Sequence, residues 1–188
     1  MKKIDFPAVI FAGGKSRRMG RDKSLLPFGN SETLVEFQFK RMQKIFSEVY
    51  ISWKNPKIPH LEKFSIFDEP QFSEISAPTV ALYSVMKKIE NEKLFVLSVD
   101  TPFFSENAIR ELFKKSENSE ITSPTFGGKS EPLLSIYKTD LQSRVLEMLK
   151  NGEYKMNKLF KNANLVEFDD KKLFTNMNFP EDYKRNIV

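Results

Sequence analysis

The sequence predicts an α/β protein, a three-layer α/β/α sandwich built around a mostly parallel sheet. Two observations support this prediction. Short apolar runs alternate with stretches of helical periodicity almost throughout the chain. The run at 94–99 is apolar at nearly every position, which is typical of a strand buried on both faces. Because 188 residues suffice for one compact core, we expect residues 1–188 to form a single domain.

The predicted elements follow in chain order. The first strand is expected at 8–12, where a wholly apolar run ends at two glycines. Ser31 or Thr33 suits the cap of a helix that runs to about residue 47, Pro78 suits the first position of another, and Ser105 suits the cap of a third. The remaining assignments are strands at 49–53, 64–67, 94–99, 121–123, 132–137 and 165–168, a helix from Asp140 through 149, and a terminal helix after 176–180.

The composition excludes several classes of protein. There is no cysteine, so the chain has no disulfide framework, thiolate nucleophile or cysteine metal site, which suits a reducing cytoplasm. No stretch has the length and apolarity of a membrane span, and the first apolar run is too short for a signal peptide. The net charge is +5, but most lysines are scattered among glutamates. We therefore predict a cytoplasmic protein that binds neither membrane nor nucleic acid.

Basic charge is concentrated directly after the first strand. Gly13 and Gly14 are followed, up to position 23, by five cations and one carboxylate, that of Asp22. Glycines allow close backbone approach, and amides with cations neutralise phosphate oxygens, so this loop predicts a phosphate site. The alternative is an ordinary strand-to-helix turn with a solvated basic rim.

Two well-known glycine loops do not fit this segment. The ATPase loop requires Gly-Lys-Ser/Thr five positions after its first glycine, yet Arg18 and Met19 stand five positions after Gly13 and Gly14. The dinucleotide fingerprint requires a second glycine where the chain has Lys15. Ordinary kinase, GTPase and dehydrogenase interpretations are therefore weakened.

Polar side chains follow several predicted strands. Asp68 and Asp100 come directly after two of them, and Asn176 and Asn178 lie near the C-terminus. Since parallel strands end at one edge of a sheet, these residues are expected to converge there. Asp100 is the strongest candidate for a Mg²⁺ ligand, because one or two carboxylates plus substrate phosphates commonly hold this ion. The alternative is an aspartate that only closes its strand. The only histidine, His60, is expected to be exposed and inert.

Three segments resemble the molybdenum cofactor guanylyltransferase family. Residues 12–23, AGGKSRRMGRDK, are similar to its signature Leu-Ala-Gly-Gly-x-Ser-x-Arg-Met-Gly-x-Asp-Lys, with Phe11 in place of the leading Leu. Residues 98–103 resemble its Asp-Thr/Met-Pro motif, and residues 176–182 resemble its Asn-x-Asn-Thr-Pro-Glu-Asp/Glu motif. The resemblance runs from about residue 9 to 183 and implies a Rossmann-like nucleotidyltransferase fold.

The resemblance also implies roles for individual residues. Lys23, Arg17 and Asp100 would be catalytic, and Asp100 would hold Mg²⁺ as the cofactor. Asn176 and Asn178 would contact the acceptor. The implied nucleotide-binding residues are Phe11, Ala12, Gly13, Gly14, Lys15, Lys23, Asp68 and Asp100.

The implied reaction transfers GMP from GTP to the terminal phosphate of molybdopterin and releases pyrophosphate. The attacking phosphate is anionic, so no histidine or cysteine base is required. The implied partners are GTP, molybdopterin and, transiently, cofactor-synthesis proteins or molybdoenzyme chaperones. A cytidylyl or sugar-phosphate nucleotidyltransferase and a non-catalytic pterin carrier remain the alternatives.

Two departures from the family pattern lie on the pterin side of the implied site. The chain has Ala-Pro-Thr-Val-Ala at 77–81 where the family usually has Gly-Pro-Leu-Ala-Gly. It has Glu131-Pro132 where the family frequently has His-Pro.

Overall fold

A computed structural model describes residues 2–13 and 22–177 of the chain. A sheet of eight strands lies at its centre. The strands are β1 (Ala8–Phe11), β2 (Val49–Ser52), β3 (Ser65–Ile66), β4 (Lys93–Ser98), β5 (Ile121–Phe126), β6 (Lys129–Ser130), β7 (Ile136–Lys138) and β8 (Asn164–Glu167). The α-helices are α1 (Leu34–Ile45), α2 (Pro78–Lys88), α3 (Glu106–Lys115) and α4 (Gln142–Lys150).

The order of the strands creates a switch point beside β1. Neighbouring strands follow the order β3-β2-β1-β4-β7-β5-β6, and β8 pairs with β5. β1 runs parallel to both β2 and β4, so Phe11 stands beside Ser52 on one side and Ser98 on the other. The chain proceeds from β1 outward to β2 and β3, then returns to the opposite side of β1 as β4. In open α/β sheets, ligands bind beyond the carboxyl ends of the strands at such a point.

Helices cover both faces of the sheet. Successive strand residues point to opposite faces, so Ile10 of β1 joins a buried cluster with residues of α1 and α3. Its neighbour Val9 joins a second buried cluster with residues of α2 and α4. Both side chains are 0% exposed. The predicted three-layer α/β/α sandwich with a mostly parallel sheet is confirmed.

The helix starts follow local sequence signals. The Thr33 side chain accepts a hydrogen bond from the Glu36 backbone N–H at 3.2 Å and caps α1. Ser105 likewise caps α3 by accepting from the Ala108 N–H at 3.2 Å. Pro78 occupies the start of α2, where a backbone N–H has no helical partner. No helix in the described ranges is long and apolar enough to cross a membrane.

Two predicted elements begin differently in the structure. Pro132 does not begin a strand: it opens a 3-10 turn, Pro132–Leu134, and the strand comes later as β7. A proline lacks the N–H that a ladder needs, which explains the delay. Asp140 lies within a 3-10 turn, Thr139–Leu141, and Leu141 stands at the cap position of α4 without a side-chain hydrogen bond. β7 also runs antiparallel to β4. The expected terminal helix lies outside the described residues.

Candidate active site at the switch point

The two central motifs meet where β1 and β4 end. The Ala12 N–H donates to the Ser52 carbonyl at 2.9 Å, and the Val99 N–H donates to the Phe11 carbonyl at 3.1 Å. Backbone pairing therefore continues to the last residues before Gly13 and Asp100. The glycine loop and the predicted metal ligand are held at the same edge of the sheet.

A cavity of about 310 Å³ opens at this edge. It extends across the ends of four neighbouring strands, from Asp68 beyond β3 to Asp100 beyond β4. The predicted nucleotide-binding residues that line it are Phe11, Ala12, Gly13, Lys23, Asp68 and Asp100. The predicted site residues Gly14, Lys15 and Arg17 lie outside the described residues, so their roles stay predictions. We call this space the first cavity.

Lys23 and Asp100 are in direct contact in the first cavity. The Lys23 Nζ donates to Asp100 Oδ2 although the residues are 77 positions apart in the chain. The Ser98 hydroxyl donates to the other carboxylate oxygen of Asp100. The side chains of Lys23 and Asp100 are only 20% and 11% exposed, so the two charges compensate each other where little water reaches them. The fold thus joins the cation of one motif to the carboxylate of another.

Lys57 is a site residue that the sequence did not predict. Its Nζ donates to the Ala12 carbonyl at 2.8 Å and lies 2.7 Å from Asp22 Oδ2. It also donates to the Ser24 hydroxyl at 3.3 Å. Ala12 precedes the glycine loop and Asp22 follows it, so one ammonium group bridges the two ends of that loop. Lys57 comes from a proline-rich loop, whose local sequence carries no signal for this contact.

The bridge has an electrostatic consequence for Asp22. Burial by itself raises the pKa of the Asp22 carboxyl, but hydrogen bonds from Lys57 and Ser24 outweigh it and lower the pKa below the ordinary value. Asp22 also accepts from the Ser24 N–H at 3.0 Å, which caps the short 3-10 turn Lys23–Leu25. A charged Asp22 therefore fixes the backbone that carries Lys23.

Asp68 marks the other end of the first cavity. Burial raises the pKa of its carboxyl above the ordinary value, and the nearby charge of Lys54 offsets part of that rise. Lys54 is itself held by a hydrogen bond from its Nζ to the Ser73 carbonyl at 2.7 Å. Asp68 is consequently a half-buried acceptor beside a cation, a suitable partner for the hydroxyl or amino groups of a ligand.

Side chains of α1 hold the loop that carries Asp100. The Gln38 Nε2 donates to the Val99 carbonyl at 3.3 Å, and the Arg41 guanidinium donates to the Pro102 carbonyl. Burial lowers the pKa of Arg41 to about 10. On the other side, the Met177 N–H donates to the Asp100 carbonyl at 2.8 Å. The carboxylate of Asp100 is thus mounted on a backbone fixed from two directions.

A second cavity, of about 460 Å³, lies on the other side of Asp100. Asp100 and Ser98 line both cavities. Asn176 lines the second cavity, and its Oδ1 is buried without a hydrogen-bond partner in the described structure. Glu131 also lines it. Asn178, the other predicted acceptor residue, falls outside the described residues.

The oxygen ligands here fit a magnesium ion. Mg²⁺ prefers carboxylate and amide oxygens and usually takes only one or two carboxylates from the protein, with phosphates and water completing its shell. Asp100 offers a carboxylate, and the unpartnered Oδ1 of Asn176 offers an amide oxygen at the same cavity. Within residues 2–13 and 22–177, no three His, Cys, Asp or Glu side chains cluster as a self-sufficient metal cage. A carboxylate and an amide oxygen suit an ion whose remaining ligands are phosphate and water oxygens.

Comparison with known proteins agrees with this geometry. Residues 8–167 match the MobA-like NTP transferase domain family. The molybdenum cofactor guanylyltransferase of Campylobacter jejuni is 36% identical over 188 aligned residues, which cover 98% of this chain and 97% of that protein.

Solved structures share the fold. Molybdopterin-guanine dinucleotide biosynthesis protein A from Archaeoglobus fulgidus superposes with a TM-score of 0.76 at 19% identity, covering 96% of each chain. The 2-C-methyl-D-erythritol 4-phosphate cytidylyltransferase of Thermus thermophilus superposes with a TM-score of 0.70 at 16% identity, covering 97% of each chain. At these identities the likeness concerns the fold alone.

Proposed function

Since this chain belongs to the MobA-like NTP transferases, and among them to the molybdenum cofactor guanylyltransferases, we propose that it transfers GMP from GTP to molybdopterin. The terminal phosphate of molybdopterin is the nucleophile, pyrophosphate is the leaving group, and molybdopterin guanine dinucleotide is the product. The family that the sequence motifs predicted is confirmed by these matches.

The position of Asp100 is the observation that supports this mechanism best. Asp100 lines both cavities, so a nucleotide in the first and an acceptor in the second would have their reacting groups beside it. Group transfer requires the attacking oxygen and the α-phosphorus to be held close and in line. Two cavities that share one wall at Asp100 would allow the two reacting groups to be held next to each other.

The same layout orients the nucleotide. The α-phosphate must lie near the second cavity and therefore near Asp100, with the β- and γ-phosphates within reach of Gly13 and Lys23. The nucleoside is then directed along the strand ends toward Asp68, whose carboxylate can accept from sugar or base donors. Neighbouring strands are about 4.8 Å apart, so the three spacings from β3 to β4 give roughly 14 Å for an elongated ligand.

We propose Mg²⁺ as the cofactor, held by Asp100 with the amide oxygen of Asn176. When bound, the ion would neutralise charge on the phosphate oxygens. Lys23, whose ammonium group lies against Asp100 at this edge of the sheet, would neutralise charge on the triphosphate. Because the acceptor phosphate is already anionic, the chain contributes positioning and charge neutralisation and needs no general base.

The cytoplasmic location and the transient contacts with other proteins of the pathway stay predictions.

Pyrophosphate release tests the central proposal. The full chain is assayed with Mg²⁺ and either GTP or CTP, with and without molybdopterin. We expect release only with GTP and molybdopterin together. Equal release from CTP would indicate a cytidylyltransferase, and binding of molybdopterin without release from either nucleotide would indicate a carrier.

A further inference from the structure

Glu131 is held rigidly at the second cavity. Its backbone N–H donates to the Pro124 carbonyl at 3.1 Å, which ties it to β5. Its own carbonyl accepts from the Leu134 N–H at 2.9 Å and from the Ser135 hydroxyl at 2.8 Å. Ser135 is 0% exposed. The backbone that carries the Glu131 side chain is therefore well anchored.

The carboxylate of Glu131 has no protein partner in the described ranges 2–13 and 22–177: no hydrogen bond or ion pair reaches it. It is nevertheless half-buried, and burial together with the nearby charge of Asp100 raises its pKa. A buried acceptor without a donor costs free energy that a ligand can recover by supplying N–H groups. This carboxylate is thus arranged for a ligand and adds nothing evident to the fold.

The walls around Glu131 define what kind of ligand fits. The residues that follow it, Pro132 to Leu134, contribute apolar surface to the second cavity. Met156 and Tyr154 also line this cavity, and Tyr154 is 39% exposed. Apolar residues, an aromatic residue and a carboxylate that no described residue pairs with suit a flat heterocycle with a row of N–H donors better than a hydrated ion.

We propose that Glu131 selects the acceptor by binding the 2-amino-4-oxopyrimidine edge of its pterin ring. The ring N3–H and an N–H of the 2-amino group point in parallel from that edge, so they match the two oxygens of a carboxylate in a bidentate pair. This inference rests on the proposed function for the identity of the acceptor. It assigns acceptor specificity to the residue that replaces the histidine frequent in the family.

Two probes that differ at a single group test the proposal. Pterin-6-carboxylate carries the 2-amino group, whereas lumazine-6-carboxylate carries a carbonyl at the same position. That carbonyl oxygen cannot donate a hydrogen bond to the Glu131 carboxylate, because both groups are acceptors. Binding of each to the full chain is followed by the probe's own fluorescence. We expect the wild-type chain to prefer the pterin by at least about tenfold, because a site built around an N–H donor rejects the analogue that lacks it.

Substitution of Glu131 should remove this preference. In Glu131→Gln the amide can turn either an acceptor or a donor to the ligand, so we expect the preference to fall to about threefold or less. Glu131→Asp keeps the charge but shortens the side chain, and an intermediate preference is expected. Glu120→Gln is the matched control, because Glu120 pairs with Arg144 at 3.3 Å and lines neither cavity. It should behave as wild type.

Folding and turnover supply the remaining readouts. Because no residue in the described part of the chain pairs with the Glu131 carboxylate, the melting temperature of Glu131→Gln should not fall. In pyrophosphate release, the KM for molybdopterin should rise at least about tenfold while the KM for GTP stays unchanged.

An unchanged pterin preference in Glu131→Gln would overturn the proposal, as would a variant altered only in its Mg²⁺ dependence, which would make Glu131 a metal ligand. The binding assay needs neither GTP nor turnover. A wild-type chain that distinguishes the probes but releases no pyrophosphate would therefore refute the proposed function separately.

Discussion

Replacing Lys57 with methionine tests whether the ends of the glycine loop must be tied together. The substitution keeps a long, unbranched side chain but removes the ammonium group that bridges the Ala12 carbonyl, the Asp22 carboxylate and the Ser24 hydroxyl. The loop between these ends would lose its clamp, and Lys23, which follows Asp22 directly, would lose part of its support. We expect weaker binding of GTP with a smaller change in kcat.

The structure sets the size of this effect. Lys57 is 20% exposed and Asp22 30% exposed at their side chains, so water can partly replace the lost contacts. A hydrogen bond to a charged group contributes about 1.5–3 kcal/mol when well shielded, and partial exposure places this one nearer 1–2 kcal/mol. If the whole of this change falls on the free energy of GTP binding, the KM for GTP rises by roughly 5- to 30-fold.

Steady-state pyrophosphate release measures this KM. Lys138→Met is the matched control, because Lys138 is 27% exposed, pairs with Glu92 at 3.3 Å, and lies beside the first residue of β4, at the edge of the sheet opposite the site. The control should keep the wild-type KM for GTP. Lys57→Arg should recover part of the loss. A wild-type KM in Lys57→Met would refute the idea that the bridge positions the loop.

The same variant has a predictable pH dependence of stability. The pKa of Asp22 is lowered in the folded chain, so its contribution is present above the ordinary pKa of 3.8 and is lost as the pH falls through the folded value. The difference in melting temperature between wild type and Lys57→Met should therefore be full at neutral pH. It should begin to shrink as the pH falls below 3.8 and disappear once the pH is below the lowered pKa of folded Asp22. A difference independent of pH would exclude the ion pair as its source.

Three further substitutions separate catalysis, ligand approach and folding. Asp100→Asn should lower pyrophosphate release by at least about 100-fold with a much smaller relative loss of stability, and normal turnover would contradict its assigned role. In Gly13→Ala, the new Cβ would lie 3.5 Å from the Trp53 Cα, which is an ordinary contact. The free energy of unfolding should therefore change by no more than about 0.5 kcal/mol. The KM for GTP should rise about tenfold, because the methyl group keeps a phosphate from approaching the backbone. An unchanged KM would mean that no phosphate approaches Gly13. Ser105→Ala removes the cap on the Ala108 N–H and should cost about 1 kcal/mol in thermal unfolding, with unaltered turnover.

The elements that local sequence dictates were predicted well. Thr33 and Ser105 cap their helices because a short polar side chain reaches amides only three residues away. β1 and β4 were identified because a strand buried on both faces needs apolar residues at consecutive positions. The predicted strand at 132–137 was wrong at 132–135. The apolar pattern there favours a strand, but Pro132 has no N–H to donate to a neighbouring strand.

The sequence by itself determined the fold class, the glycine loop and the identity of Asp100 as a candidate ligand, because each depends on residues close together in the chain. Only the tertiary structure decided that Lys23 contacts Asp100, that Lys57 bridges the ends of the loop, and that two cavities share the wall at Asp100. These contacts join segments tens of residues apart. They depend on the order of the strands and on the packing of the loops. Neither the strand order nor the loop packing can be recognised from a periodic or local sequence pattern.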